Sequence, residues 1–419
     1  MEKTSLEKAS LKRDLTGETE LPRAQRDQLI AYYAAYVALG LVAASMGPTL
    51  PGLAENTGVG LGAAGLFFTA RSLGYTLGSL YGGRAYDRFP GHTLMAGMIA
   101  VMAVTLGLAP LTAVFWILLL VLFAMGAGEG TLDVGGNTLL LWQYREKVGP
   151  FMNAMHFFFG AGAFLSPIIV AQALKMTGEI RWAYWALALA IAPLALWLAR
   201  IPSPAAPAIR KEDAGGLARP ILVFLFAAFF FLYVGAEAGF GGWVFTYAQA
   251  MPFGGEGFDS ASAAYLTAAF WGALTLGRLL SIPLAARLRP SALLLGDLTG
   301  CLASLGVILF WQDSTLALWA GSIGLGASMA SIFPTTLAFA ERRMPISGRT
   351  TGLFFVGVGA GAMTIPWLVG QLFEARGPLA MIYLFGAVIL LDLAVLLVIF
   401  FTTRSRTPAT APLNRTLSL

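Results

Sequence analysis

Twelve apolar runs of 19 to 30 residues follow one another along this chain, at 28–52, 58–83, 93–112, 115–141, 148–174, 182–200, 220–249, 259–285, 291–310, 314–340, 348–373 and 378–402. A helix of about 20 apolar residues crosses the hydrocarbon core of a bilayer. Within lipid, only helices and closed barrels satisfy every backbone polar group. The expected fold class is therefore an all-α integral membrane protein with twelve transmembrane helices. Of the 419 residues, 57% are hydrophobic and 12% charged, whereas soluble domains carry about 25% charged residues.

Most connections between the runs are short. The longest, Ile201 to Arg219, reads IPSPAAPAIRKEDAGGLAR, a Pro-, Ala- and charge-rich composition that suits a linker. It divides the chain into a tail (1–27), a six-helix half (28–200), the linker (201–219), a second six-helix half (220–402) and a closing tail (403–419). The tails and the loops on their side hold 22 Lys and Arg, while the opposite loops hold only Lys175, Arg181 and Arg376. The positive-inside rule then places both termini in the cytoplasm of a bacterial-type inner membrane. On that topology, positions 10, 208 and 410 face the cytoplasm and position 255 faces outward.

The same distribution accounts for the net charge of +5 without any nucleic-acid partner. The first 28 residues mix both charges and lack the apolar core of a cleaved signal peptide. One cysteine and two histidines support neither a disulfide framework nor a metal cluster. No GxxxxGK[ST] run is present, so neither an ATP-driven pump nor an enzyme is expected. No cofactor is expected, and the protein is read as a monomer in the lipid bilayer.

Internal repetition supplies the architecture. The GAGA at 160–163 returns at 359–362, Pro167 as Pro366, and Gln172 as Gln371, all 199 residues on. Gly78 and Arg88 match Gly277 and Arg287 at the same offset, and Gly126 and Gly128 match Gly324 and Gly326 at 198. Six helices separate the copies, so they share one topology, the parallel repeat of a transporter with two pseudo-symmetric halves.

Within the fourth run, MGAGEGTLDVGGNTLLLW (125–142) carries Glu129, Asp133 and Asn137 at i, i+4 and i+8. At about 100° per residue these three share one helix face. An ionised carboxylate near the bilayer centre costs roughly 2.5–3.5 kcal/mol on the insertion scale, so that face has to meet protein, water or a ligand. The glycines among them imply close approach of a neighbouring helix or a ligand. The second half places Ala327, Ser331 and Thr335 opposite the three polar residues. A substrate or ion site is expected at Glu129, Asp133 and Asn137, with structural pairing to buried arginine as the alternative. Arg71, near the middle of the second run, is the natural counter-ion for Asp133 or Glu129.

The second-to-third loop, GSLYGGRAYDRFPGH (78–92), resembles the cytoplasmic loop signature of the major facilitator superfamily in Gly78, Gly82, Asp87, Arg88 and Gly91, with His92 where a basic residue is usual. Leu132 to Asn137 resembles the Leu-acid-x-small-small-Asn signature of its fucose/hexose permease group. The stretches at 233–247 and 324–341 are similar to its sugar-transporting members. The resemblance implies the major facilitator fold, a sugar substrate bound near the midplane, and an acid that binds sugar hydroxyls and responds to the coupling ion. The group's proton-coupled fucose members carry a further acid in the first span, which this chain lacks, and Glu129 stands in for it. A gate is implied at Gly78, Arg84, Asp87 and Arg88, echoed by Arg287.

Among the remaining polar residues, Glu237 lies in a Gly-rich run ending at Trp243, whose ring is a candidate surface for stacking a sugar. Asn153 and His156 open the fifth run; His156 reads first as a packing histidine, with a proton relay as the functional alternative. Gln172 and Gln371 recur symmetrically and read as packing residues. Arg278 reads as a snorkelling residue. Asp297, Glu341 and Asp392 read as lying towards span ends, without a site role. The expected function is secondary-active transport of a sugar or sugar-like molecule, coupled to protons, with sodium as the other coupling ion. An exporter of amphipathic compounds on the same fold and a non-transporting receptor are the rivals.

Overall fold

The computed structural model describes residues 22–204, 219–253, 258–344, 346 and 348–404, and its regular elements are all helical. Positions 10, 208, 255 and 410, and most of both tails and of the linker, lie outside the described residues. The first half comprises α1 (Arg23–Ala43), α2 (Met46–Thr57), α3 (Leu61–Tyr86), α4 (Gly91–Leu108), α5 (Phe115–Tyr144), α6 (Gly149–Thr177) and α7 (Ile180–Leu198). The second comprises α8 (Pro220–Ala250), α9 (Ser260–Arg287), α10 (Pro290–Phe310), α11 (Thr315–Met329), α12 (Ile332–Glu341), α13 (Gly348–Arg376) and α14 (Leu379–Arg404).

Among the described residues, ten spans are long and apolar enough to cross a membrane, α11 and α12 counting as one of them. The pair α1 and α2, bent by 45°, makes an eleventh. The twelfth is α3, 26 residues long and too polar to stand out by composition because of Thr69, Arg71, Ser72 and Thr76. The first span begins at Arg23, before the apolar run, because the helix formers Ala24, Gln25 and Gln28 carry it into the charged segment.

Both interrupted spans have the same cause. Pro48 follows Ala44 by four residues and Pro334 follows Ala330 by four, so each proline leaves the carbonyl four residues earlier without its helical donor. The chain bends at Ala44–Ser45 and at Ala330–Ser331.

The repeat is visible in the packing. In the first half α1 lies on α6, α3 on α5, and α4 on α7; in the second α8 lies on α13, α9 on α11, and α10 on α14. The halves meet where α3 packs against α13, α6 against α9, and α2 against α8. The α3–α5 seam is especially close. A Cβ on Gly78 would stand 2.3 Å from the Ala127 carbonyl oxygen, and one on Gly126 would stand 1.9 Å from that of Arg71. The glycines of the fourth span thus serve helix approach, which supplies the dispersion contact that holds helices together in lipid.

Candidate substrate and coupling site

The carboxylate of Asp133, on α5, is gripped from two neighbouring helices. Tyr36 of α1 donates its O–H to Oδ1 at 2.6 Å and lies 2.9 Å from the Asp133 carbonyl. Tyr75 of α3 donates to Oδ2. One turn along, the Asn137 amide contacts Asp133 Oδ1 at 3.1 Å, its carbonyl at 2.9 Å and the Tyr36 hydroxyl at 2.7 Å. Gly136 makes room for this arrangement, since a Cβ there would lie 2.3 Å from the Tyr36 ring. Asp133 is therefore an acceptor surrounded by donors and only half-buried.

Glu129 has a different environment. It is 2% exposed, and both its oxygens are taken by one guanidinium: Arg71 Nε donates to Oε2 at 2.8 Å and Nη2 to Oε1 at 2.7 Å. Arg71 Nη1 reaches the Ala43 carbonyl at 3.1 Å, at the end of α1 where backbone acceptors lack helical donors. Of the two partners the sequence left open for Arg71, the structure selects Glu129. The fork-to-fork pair is the strong geometry for Arg and carboxylate, and it ties the first, second and fourth spans together.

His156 meets the cluster through its ring, edge-on to Tyr36 at a centroid distance of 5.6 Å. It lies within electrostatic range of both Asp133 and Arg278, so it stands between the two halves. Arg278 departs from the snorkelling expectation: its Nε is buried without a partner among the described residues, and its charge acts on His156 and on Tyr233. Tyr233 donates to Glu237 and reaches the Met329 carbonyl at 3.1 Å, beside the break in the tenth span. Tyr36 and Tyr233 are 197 residues apart, and the carbonyls they reach, of Asp133 and Met329, are 196 apart, so each half has such a tyrosine contact, displaced by two residues from the register that sets Ser331 opposite Asp133. Asn153 is exposed, one turn short of His156. Trp243 is fully buried, with Phe68 and Phe373 at centroid distances of 6.0 and 5.7 Å. In this conformation it is a packing residue between the halves, with no open face for a ring.

Sequence reading missed Tyr36, Tyr75, Tyr233 and Arg278. Tyr75 follows Arg71 by four residues and so shares its face of α3, a signal that was present. The tyrosines pass as aromatic residues in any apolar count, although each carries a hydroxyl that needs a partner when buried.

At the loop signature, Asp87 caps the end of α3 and is exposed, as are Arg84, Arg88 and Arg287. Asp87 makes no ion pair among the described residues. Gly78 belongs to the α3–α5 seam. Among the described residues, hydrogen bonds between the halves include several midway and at the end remote from the chain termini. Thr69 and Ser72 donate to the carbonyls of Met363 and Ala362 at 3.0 and 3.2 Å. Further out, the Gly62 N–H donates to Glu374, the Gln371 amide to the Gly62 carbonyl at 2.7 Å, and the Gln172 amide to the Tyr265 hydroxyl. The symmetric glutamines are thus two clasps across the interface.

Twelve spans in two repeat-related halves, with a polar cluster reaching from one half to the other, define a multi-pass membrane transporter. The chain belongs to the Major Facilitator Superfamily, whose family model matches residues 32–346. It is 30% identical over 380 residues to sodium-dependent glucose transporter 1A of Mus musculus, covering 81% of this chain and 88% of that protein. The sodium-dependent glucose transporter 1 of Homo sapiens is 28% identical over 384 residues, covering 81% of this chain and 72% of that protein. Among solved structures, a mutant of the nucleoside transporter NupG superposes with a TM-score of 0.71 at 14% identity, covering 90% of this chain and 99% of that one.

Proposed function

We propose that this transporter moves a sugar or sugar-like molecule by alternating access and couples that movement to protons at Asp133. The observation that carries the reading is the carboxylate of Asp133, half-buried and held by Tyr36, Tyr75 and Asn137. Phenols, amides and carboxylates pair with sugar hydroxyls, which both donate and accept. His156, Arg278, Tyr233 and Glu237 extend the polar lining into the second half. The names of the relatives support a sugar substrate. They also favour a second reading, sodium coupling, in which the oxygens of Asp133 and Asn137 would ligate the ion.

Proteoliposomes separate these readings. A panel of labelled hexoses and deoxyhexoses should include one that accumulates under an inward proton gradient and leaks out when a protonophore is added. Accumulation that follows sodium and ignores pH would transfer the coupling role to sodium. Transport of amphipathic compounds with no sugar moving would sink the substrate class.

The 22-to-3 partition of basic residues supports placing both termini in the cytoplasm. On that orientation the glutamine clasps close the outer side, and the exposed Asp87 is free to pair with basic residues when the inner side closes. Asp87→Asn should then lower transport several-fold more than it lowers equilibrium sugar binding. Equal losses in both would remove Asp87 from the gate.

A further inference from the structure

Asp392 is placed in the structure as no span-end residue would be. It sits at the middle of α14, fully buried, with both carboxyl oxygens lacking a partner among the described residues. We propose that Asp392 binds and releases a proton, forming with Asp297 and Cys301 a second proton site inside the last six spans, apart from the Asp133 cluster.

The argument starts from the cost of charge. An ionised carboxylate shut away from water without donors or a counter-ion is far more expensive than the neutral acid. The elements packed against α14 supply no cation at this depth. From α10 come Asp297 and Cys301, and from α8 Tyr233 and Glu237, while the ionisable residues of α13, Arg349, Glu374 and Arg376, lie at its ends. Arg278, on α9, acts on His156 and Tyr233. Asp392 is therefore the neutral acid in this conformation. A neutral acid still carries an O–H donor, and leaving that donor unmade is itself costly. A leucine would fill the same space without that cost, so the position is better explained by a proton that comes and goes than by packing.

A route out is at hand. Asp392, Asp297 and Glu237 all lie within electrostatic range of the Cys301 thiol. Asp297 accepts from Ser331, which stands in the break between α11 and α12, so rearrangement at that break changes what Asp297 can accept. Transfer from Asp392 to a carboxylate oxygen of Asp297 or Glu237 breaks one O–H bond and forms another, and needs no further reactant.

The test does not depend on the sugar reading. Infrared difference spectra of the full-length chain in lipid nanodiscs, recorded without sugar as pH is stepped, should contain the C=O stretch of a buried carboxylic acid that disappears on alkalinisation. Asp392→Asn, which keeps the shape of the neutral acid, should lose that band, and Asp133→Asn should retain it. Asp392→Leu repeats the measurement if the Asn variant fails to fold. Titrating bands in the folded variant that are identical to those of the wild type overturn the assignment. A band assigned to Asp392 that persists unchanged at every pH overturns proton release. Failure of the Asp133 coupling reading would appear elsewhere, as uphill accumulation retained by Asp133→Asn.

Discussion

Asp133→Asn should abolish accumulation of sugar against its gradient while leaving exchange down a gradient, and part of equilibrium binding, in place. The amide has the shape of the protonated acid and keeps an oxygen for Tyr36 or Tyr75 to donate to, so the fold and much of the pocket survive. It has no proton to release. In a coupled carrier, protonation and substrate binding alter each other's affinity by the same factor, and a site that cannot change protonation state loses that linkage entirely. Counterflow of labelled sugar in proteoliposomes reads exchange, and uptake under an imposed pH difference reads coupling. A variant that still concentrates sugar in response to pH would exclude Asp133 as the coupling residue.

Glu129→Gln should cost on the order of 3 kcal/mol of stability and Arg71→Leu on the order of 5 kcal/mol, the two ends of the loss seen when one partner of a buried ion pair is removed. The lower end applies to Glu129→Gln because the stranded Arg71 side chain keeps 17% of its exposure and so some access to water, whereas Arg71→Leu strands a carboxylate that is only 2% exposed. The stranded charge is the source of the loss. Removing both charges together, in Arg71→Leu with Glu129→Leu, should therefore cost less than the sum of the single changes. Thermal unfolding in detergent over the full double-mutant cycle measures this coupling. Additive losses would mean that the two side chains do not act as a pair, and would return Glu129 to the candidate ligands.

Much of the architecture was legible because a bilayer imposes a length and a polarity that appear in any apolar count. The offset of 199 between Gln172 and Gln371 pointed to the same place in both halves, and the structure puts each across the interface. The shared face of Glu129, Asp133 and Asn137 was legible from helical periodicity. Periodicity fixes a face of one helix and leaves open which neighbour it meets, which is why the partner of Arg71 stayed open and the tyrosines around Asp133 went unseen. Asp392 differs from its span-end expectation for another reason: composition does not fix where a helix starts and ends, and the register of α14 puts this acid at mid-span. Trp243 shows the reverse limit, since an aromatic residue near a candidate cavity says nothing about whether other rings already cover it.

The glycine seam between α3 and α5 has a mechanical consequence. Side chains that interdigitate loosely let two helices slide. Backbones seated as closely as those at Gly78 and Gly126 do not, because any shift along the axis drives Cα atoms into carbonyls. The second and fourth spans therefore behave as one stiff beam. One end of that beam, at Gly62, is held by α13 through Gln371 and Glu374, and Asp133 rides on its middle. On the proposed role of Asp133, a ligand that pulls on the carboxylate is felt at the far end as torque, without any change of shape in between.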